Sequence, residues 1–178
     1  MIIANPKASL KSYPADLQGI MNMAAADESL AWLSAWEQMR DDATPLYNLP
    51  DLAARLDLAQ VCVKDESVRS PLGSFKALGA PIALIRLILR RWPAENIDPR
   101  ALIRGEHGDL VKGFTVVSAT DGNHGRALAA AARNVGCGCV IVLHANVSVE
   151  RETAIAAYGA KIVRITGNYD ESVEEAAR

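Results

Sequence analysis

No run of residues in this sequence is long and apolar enough to cross a bilayer. The most apolar stretch, residues 82–89, is interrupted by Arg86, and a spanning helix needs roughly 20 apolar residues. The start, Met1-Ile-Ile-Ala-Asn-Pro-Lys7, lacks the basic region followed by a long apolar run that marks a secretory signal. The expected location is therefore the cytoplasm. An excess of positive charge is also missing. Lys and Arg number 19 against 21 Asp and Glu, for a net charge of −2, so no overall basic field points to nucleic acid or an anionic membrane. The 3 histidines are scattered without ligand spacing, and Cys-Gly-Cys at 137–139 is not a zinc spacing, so no metal is predicted. The 3 cysteines, Cys62, Cys137 and Cys139, are odd in number and lie in or beside apolar strand-like runs. They read as small buried thiols. No internal repeat or low-complexity tract appears.

What is present is the composition of a soluble globular protein, 50% hydrophobic and 22% charged over 178 residues. That is enough for one domain, or for one domain and a piece of another. Residues 1–25 read as an irregular arm. Leu30, Leu33, Trp36 and Met39, broadened by Trp32, predict an amphipathic helix over 28–40 with Asp27 as its N-cap. Thr44-Pro45-Leu46 starts an extended segment, because proline disfavours helix at the residue before it. A short helix is expected over 50–58 and a short strand over 60–63. Ser70-Pro71-Leu72-Gly73 is turn chemistry. Residues 74–92 have helical spacing along Leu78, Ile82, Ile85 and Leu89, and Pro81 is expected to kink or restart that helix. Residues 93–113 read as a polar connection, with a short element at 99–103.

From residue 114 the rhythm becomes regular. Strands are expected at 114–118, 139–143 and 161–165. Helices are expected at 123–134 and 148–158, with another from Tyr169 onward. Ser148 is the expected N-cap and Gly159 the C-terminal stop of the second of these helices. This is β-α-β-α-β-α with short connections, hence parallel strands joined by right-handed crossovers. The helical pattern still runs at Arg178, and a finished sheet of three strands would leave bare edges. The expectation is the N-terminal part of a longer polypeptide.

Two motifs carry chemistry. Arg69-Ser-Pro-Leu-Gly-Ser-Phe-Lys76-Ala-Leu-Gly79 places a lysine where a turn-rich loop enters an apolar segment. A lysine there is either solvated, as most are, or held in a pocket. Ser118-Ala-Thr-Asp121-Gly-Asn123-His-Gly125 lies between a strand and a helix, where ligands bind in parallel sheets. Its helix start offers free N–H groups to an anion. Alternatively, Thr120, Asp121 and Asn123 are capping residues and the glycines only make the turn. The spacing fits neither G-x-G-x-x-G nor a Walker loop.

Lys64-Asp-Glu-Ser67, Leu72-Gly-Ser-Phe-Lys76-Ala-Leu-Gly79 and Ala119-Thr-Asp-Gly-Asn-His-Gly-Arg126 together resemble the fold-type II pyridoxal-phosphate enzymes. That group includes the serine and threonine dehydratases and tryptophan synthase β. Within it the sequence is most similar to the diaminopropionate ammonia-lyases, on the strength of Asp121 where the dehydratases carry serine. The resemblance runs from about Thr44 to the end. It implies an α/β fold of parallel three-layer sheets, with a small flavodoxin-like domain inserted into a large domain that is incomplete here. Residues 1–92 would belong to the large domain, 93–113 to a connection and 114–178 to the small domain. It implies pyridoxal 5′-phosphate as cofactor, carried on the amine of Lys76, with Asn123 bonding its ring oxygen. Thr120, Asp121, Gly122 and His124 would receive the substrate, and Lys76 and Asp121 would be catalytic. The reaction implied is elimination of ammonia from 2,3-diaminopropionate to give pyruvate, in a homodimer. A dehydratase acting on hydroxyamino acids, or an inert fragment, are the alternatives. The glycine-rich phosphate loop, the group near the pyridine nitrogen and a second acidic catalytic residue would lie beyond Arg178, so these 178 residues alone are expected to bind cofactor poorly.

Overall fold

The computed structural model describes residues 5–8 and 11–178; the rest of the expected N-terminal arm lies outside the described residues. From Lys11 the chain is irregular apart from one 3-10 turn, Ala15–Gly19. Helix α1 then spans Met23–Leu33, capped by Asn22, whose side chain accepts from the Ala25 N–H at 2.7 Å. The helix starts and ends earlier than its apolar spacing predicts, and Asp27 lies inside it rather than at its cap. Beyond Leu33 the chain tightens into single turns, with the Trp36 N–H on the Leu33 carbonyl at 2.9 Å. These turns carry Trp36 into the core, where it is 2% exposed. The periodic face is thus kept although the α-helix is not.

Strands β1, Leu46–Asn48, and β2, Cys62–Lys64, form a two-stranded antiparallel ribbon around helix α2, Pro50–Arg55. Helix α2 stops short of Leu58 because the chain turns at Asp57, which takes a positive φ of 53°. The ribbon is exposed throughout. Cys62 is therefore an exposed thiol, not the buried one expected. Cys137 and Cys139 do sit inside, and burial pushes their thiols up to about 11 and about 12.

The segment predicted as one helix over 74–92 is two. A 3-10 turn, Phe75–Leu78, breaks at Gly79, and helix α3 spans Ala80–Arg91 with Pro81 in its first turn. There its missing N–H costs nothing. Helix α3 buries Ile82 and Ile85 as expected and adds Leu84 and Ile88, while Leu78, before the break, stays 37% exposed. Two short helices follow, α4 at Pro99–Ile103 and α5 at Gly108–Val111. The second gave no sequence signal. No helix among the described residues is long and apolar enough to cross a membrane.

Strands β3, Thr115–Ala119, β4, Gly138–Leu143, and β5, Lys161–Arg164, pair in parallel in that order. The register sets Val117 beside Val140 and Ile141 beside Ile162. Helix α6, Asn123–Val135, crosses from β3 to β4, and α7, Val149–Ala156, crosses from β4 to β5. Helices α6 and α7 pack together, and α8, Tyr169–Ala176, returns over β3 and β4. Helices α6 and α8 touch the same two strands, so they cover opposite faces of the sheet. Strand β4 is sheathed on both sides, with Ile141 and Leu143 buried on one face and Val142 on the other.

Helix α6 is buried nearly all round. Ala127, Leu128, Ala129, Ala130, Ala131 and Ala132 are each 5% exposed or less. The sheet lies on one flank and α3 on the other, the pattern of a helix enclosed in a core. Its small side chains permit close approach, and Gly125 permits the closest. A Cβ there would lie 2.5 Å from Thr120 Cγ2 and 3.3 Å from both Ile141 Cγ2 and Ile155 Cδ1. Gly125→Ala is expected to destabilise the fold by about 1–3 kcal/mol, the usual cost of overpacking. The midpoint of urea unfolding measures it, and an unchanged midpoint would show that the sheet yields freely to the methyl.

Candidate active site

The lysine loop is built from a turn. The Gly73 N–H bonds the Ser70 carbonyl at 3.0 Å and the Leu72 N–H bonds the Ser70 hydroxyl at 3.2 Å. Gly73 takes φ +66°, a conformation that glycine adopts without a Cβ penalty. Upstream, Arg69 fastens this turn. Its guanidinium pairs with Glu66 at 2.9 Å and donates to the carbonyls of Arg40 and Asp42, while Thr44 also bonds Glu66. Arg69 first and Thr44 second hold the Glu66 carboxyl down to about 2. After an extended Ser74, the 3-10 turn packs on α6 through the fully buried Ala77. Lys76 is half-buried, with Nζ 4.8 Å from the Phe75 ring centroid. The Ser74 hydroxyl is buried without a hydrogen-bond partner among the described residues.

The second loop leaves the carboxyl end of β3. The Thr120 N–H reaches the Val142 carbonyl at 3.2 Å, which prolongs the strand pairing, and the buried Thr120 hydroxyl accepts from the Gly122 N–H at 3.4 Å. The residue at the cap of α6 is Gly122, and no side chain caps the helix. The capping alternative for Thr120, Asp121 and Asn123 is therefore not what the chain does. Asp121 and Asn123 are exposed, and the first N–H groups of α6 carry no side-chain partner.

The two loops meet. One cavity of about 670 Å³ is lined by Lys76, by residues 118–124, and by Arg151 and Tyr169. All the predicted site residues, Lys76, Thr120, Asp121, Gly122, Asn123 and His124, line it. His124 is half-buried, and its pKa is lowered by burial first and by the charge of Lys76 second. The imidazole is thus held towards its neutral form next to the lysine amine.

Arg151 and Tyr169 were not singled out from the sequence. Arg151 donates to the Asp121 carbonyl at 3.3 Å from the first turn of α7. Tyr169 is the first residue of α8. A usable signal was present, because first-turn residues of helices that follow parallel strands collect at the same sheet end as the β3 loop. Arg126 closes the second motif. It reaches from the first turn of α6 to the carbonyls of Leu72 at 3.2 Å and Pro71 at 3.4 Å.

Comparison with known proteins bears on this geometry. The family model for the pyridoxal-phosphate dependent enzymes matches residues 39–178. Diaminopropionate ammonia-lyase of Salmonella typhimurium is 36% identical over 137 residues, which is 76% of this chain and 34% of that protein. Cysteine synthase B of Pseudomonas syringae is 38% identical over 74 residues, 42% of each chain. A crystal structure of diaminopropionate ammonia lyase from Escherichia coli, in complex with an aminoacrylate-PLP azomethine reaction intermediate, superposes with a TM-score of 0.73 at 31% identity. The match covers 88% of this chain and 38% of that one. The chain thus spans about a third of the length of the ammonia-lyases it matches.

Because burial is the larger cause at His124, Lys76→Met is expected to raise the His124 pKa only part of the way to its ordinary value of 6.5. An NMR titration of the ring reads this, and a full return would assign the shift to the cation alone. The folded pKa lies below the unfolded one, so the unfolded chain takes up the proton first as pH falls through 6.5. Stability should decline below that pH and level off once the folded state also protonates. His124→Gln should remove this part of the acid slope in urea unfolding.

Proposed function

The chain belongs to the pyridoxal-phosphate dependent enzyme family, with the α/β fold of the fold-type II members, and from that premise we propose a reaction. The full-length protein would convert 2,3-diaminopropionate and water to pyruvate, with both nitrogens released as ammonia. The observation that carries this reading is the shared cavity of Lys76 and the uncapped start of α6, with Asp121 on its wall.

The residues present fit the cofactor. An amine, an amide and a buried orphan hydroxyl (Lys76, Asn123 and Ser74) lie in or beside a cavity of about 670 Å³. Lys76 would carry pyridoxal phosphate on its amine and Asn123 would bond its ring oxygen. When bound, that group supplies an electron sink for charge developing at the substrate α-carbon.

The rest is work for this chain's own groups. The N–H groups at the start of α6 are donors suited to a carboxylate, with the Thr120, Gly122 and His124 wall around it. Lys76 is half-buried in the cavity wall, and its amine can take the α-proton. Asp121 can take the same proton in the opposite enantiomer from the other face. A serine in its place would be a poor base at neutral pH. An amine leaves only when protonated, so an acid in reach of the β-nitrogen is also required. The neutral tendency of His124 keeps a second cation away from Lys76.

Residues 1–92 as the start of a large domain, 93–113 as a connection and 114–178 as a small domain form part of the same proposal. In that division Lys76 and Asp121 come from different domains. A cytoplasmic homodimer is also proposed. A second reading, elimination on a hydroxyamino acid, draws support from the likeness to a crystal structure of diaminopropionate ammonia lyase from Escherichia coli in complex with D-serine.

Turnover of D- and L-diaminopropionate and of serine by the full-length protein separates these readings. Asp121→Asn is expected to lower D-isomer turnover about 10²–10⁴-fold, the range of a lost general base, and to spare the L-isomer. Undiminished D-isomer activity would refute the base assignment, and faster turnover of serine than of diaminopropionate would favour the second reading. Added pyridoxal phosphate should give a yellow protein whose colour is lost in Lys76→Ala. No colour in the unsubstituted full-length protein would leave the inert reading.

A further inference from the structure

Arg126 is a cation in an unfavourable position for its own helix. It is in the first turn of α6, where the aligned peptide dipoles disfavour positive charge. It is half-buried, and its Nε is buried without a hydrogen-bond partner. Among the described residues no carboxylate pairs with it. What it does hold is backbone. Its terminal nitrogens donate to Leu72 O at 3.2 Å and Pro71 O at 3.4 Å, and its guanidinium lies 6.0 Å from the Tyr158 ring centroid.

Those two carbonyls belong to the turn that leads into Lys76. The same first turn presents Asn123 and His124, and Asp121 lies two residues before it. One helix start therefore touches both halves of the cavity, the second loop by covalent continuity and the lysine loop through Arg126. The planar fork of arginine suits two neighbouring acceptors, and lysine offers only a point charge. The 3-10 turn also packs on α6, a contact less directional than hydrogen bonds to a charged donor.

We infer that Arg126 is a positioning residue, which sets the Lys76 amine against the Asp121–His124 wall by fixing the lysine loop to α6. The catalytic meaning rests on the function proposed for Lys76, whereas the mechanical coupling does not. The test compares Arg126→Met and Arg126→Lys with the unsubstituted full-length protein. Hydrogen exchange is followed at residues 70–79 and in β4, together with the His124 pKa by NMR and the rate at which borohydride fixes pyridoxal phosphate on Lys76.

In Arg126→Met, exchange at 70–79 should rise about tenfold or more with β4 unchanged, as expected for a local opening released by loss of charge-assisted bonds. The His124 pKa should rise as Lys76 moves away, and fixation at Lys76 should slow about fivefold or more. Arg126→Lys should recover part of each. Unchanged exchange at 70–79, or a rise shared equally by β4, overturns the inference. An unchanged His124 pKa overturns it as well. If Lys76 of the unsubstituted protein takes up no pyridoxal phosphate while exchange and His124 respond as stated, the coupling stands and the proposed function fails.

Discussion

The close approach of helix α6 to its neighbours is the constraint on which this structure depends. A helix flanked by a sheet and by another helix has no solvent face for large side chains, and α6 meets this with a run of alanines and with Gly125. Each alanine buries little apolar area. The gain comes instead from dense contact on every side and from the high helix propensity of alanine. Thr120, Ile141 and Ile155 fill the space where a Cβ at Gly125 would lie. The start of α6 is thereby fixed against β3 and β4, and everything attached to that start is fixed with it.

That rigidity gives the polar residues their meaning. Thr120 spends its hydroxyl on the turn, but Asp121 and Asn123 are committed to no cap. Helix starts usually satisfy their first N–H groups with such side chains. Here the donors and the side chains both remain available at a cavity wall with a half-buried lysine across from them. Cys137 and Cys139 lie close by in sequence but are removed from chemistry by burial, which pushes their thiols up to about 11 and about 12. The polar side chains of the cavity are thus gathered at one end of the sheet.

Much of this was legible in residue order, and the exceptions have physical causes. The β-α alternation after residue 114 was readable because each strand is a short apolar run and a helix stop such as Gly159, with φ +83°, marks the way back to the sheet. Lys76 and the 120–124 loop were readable because glycine, proline and capping residues mark them. Helix α1 was misplaced because its buried positions continue into turns that no longer follow the α pattern. The split at Gly79 is half-visible through Pro81, but the 3-10 turn before it is not, because that turn packs against a helix distant in sequence. Cys62 was misjudged because apolar neighbours say nothing about whether a two-stranded ribbon is covered. Arg126, Arg151 and Tyr169 escaped because their roles follow from what lies across space, on elements whose spacing looks ordinary.

The separation in sequence between Lys76 and the helix that frames it has a bearing on biosynthesis. While the chain is being made, residue 76 emerges well before residues 123–135, and until α6 packs its amine has no special surroundings. The cavity wall that faces it exists only after the alanine helix has docked. Contacts this distant in sequence form late and slowly. A chain built in this way completes its cavity only at the end of folding.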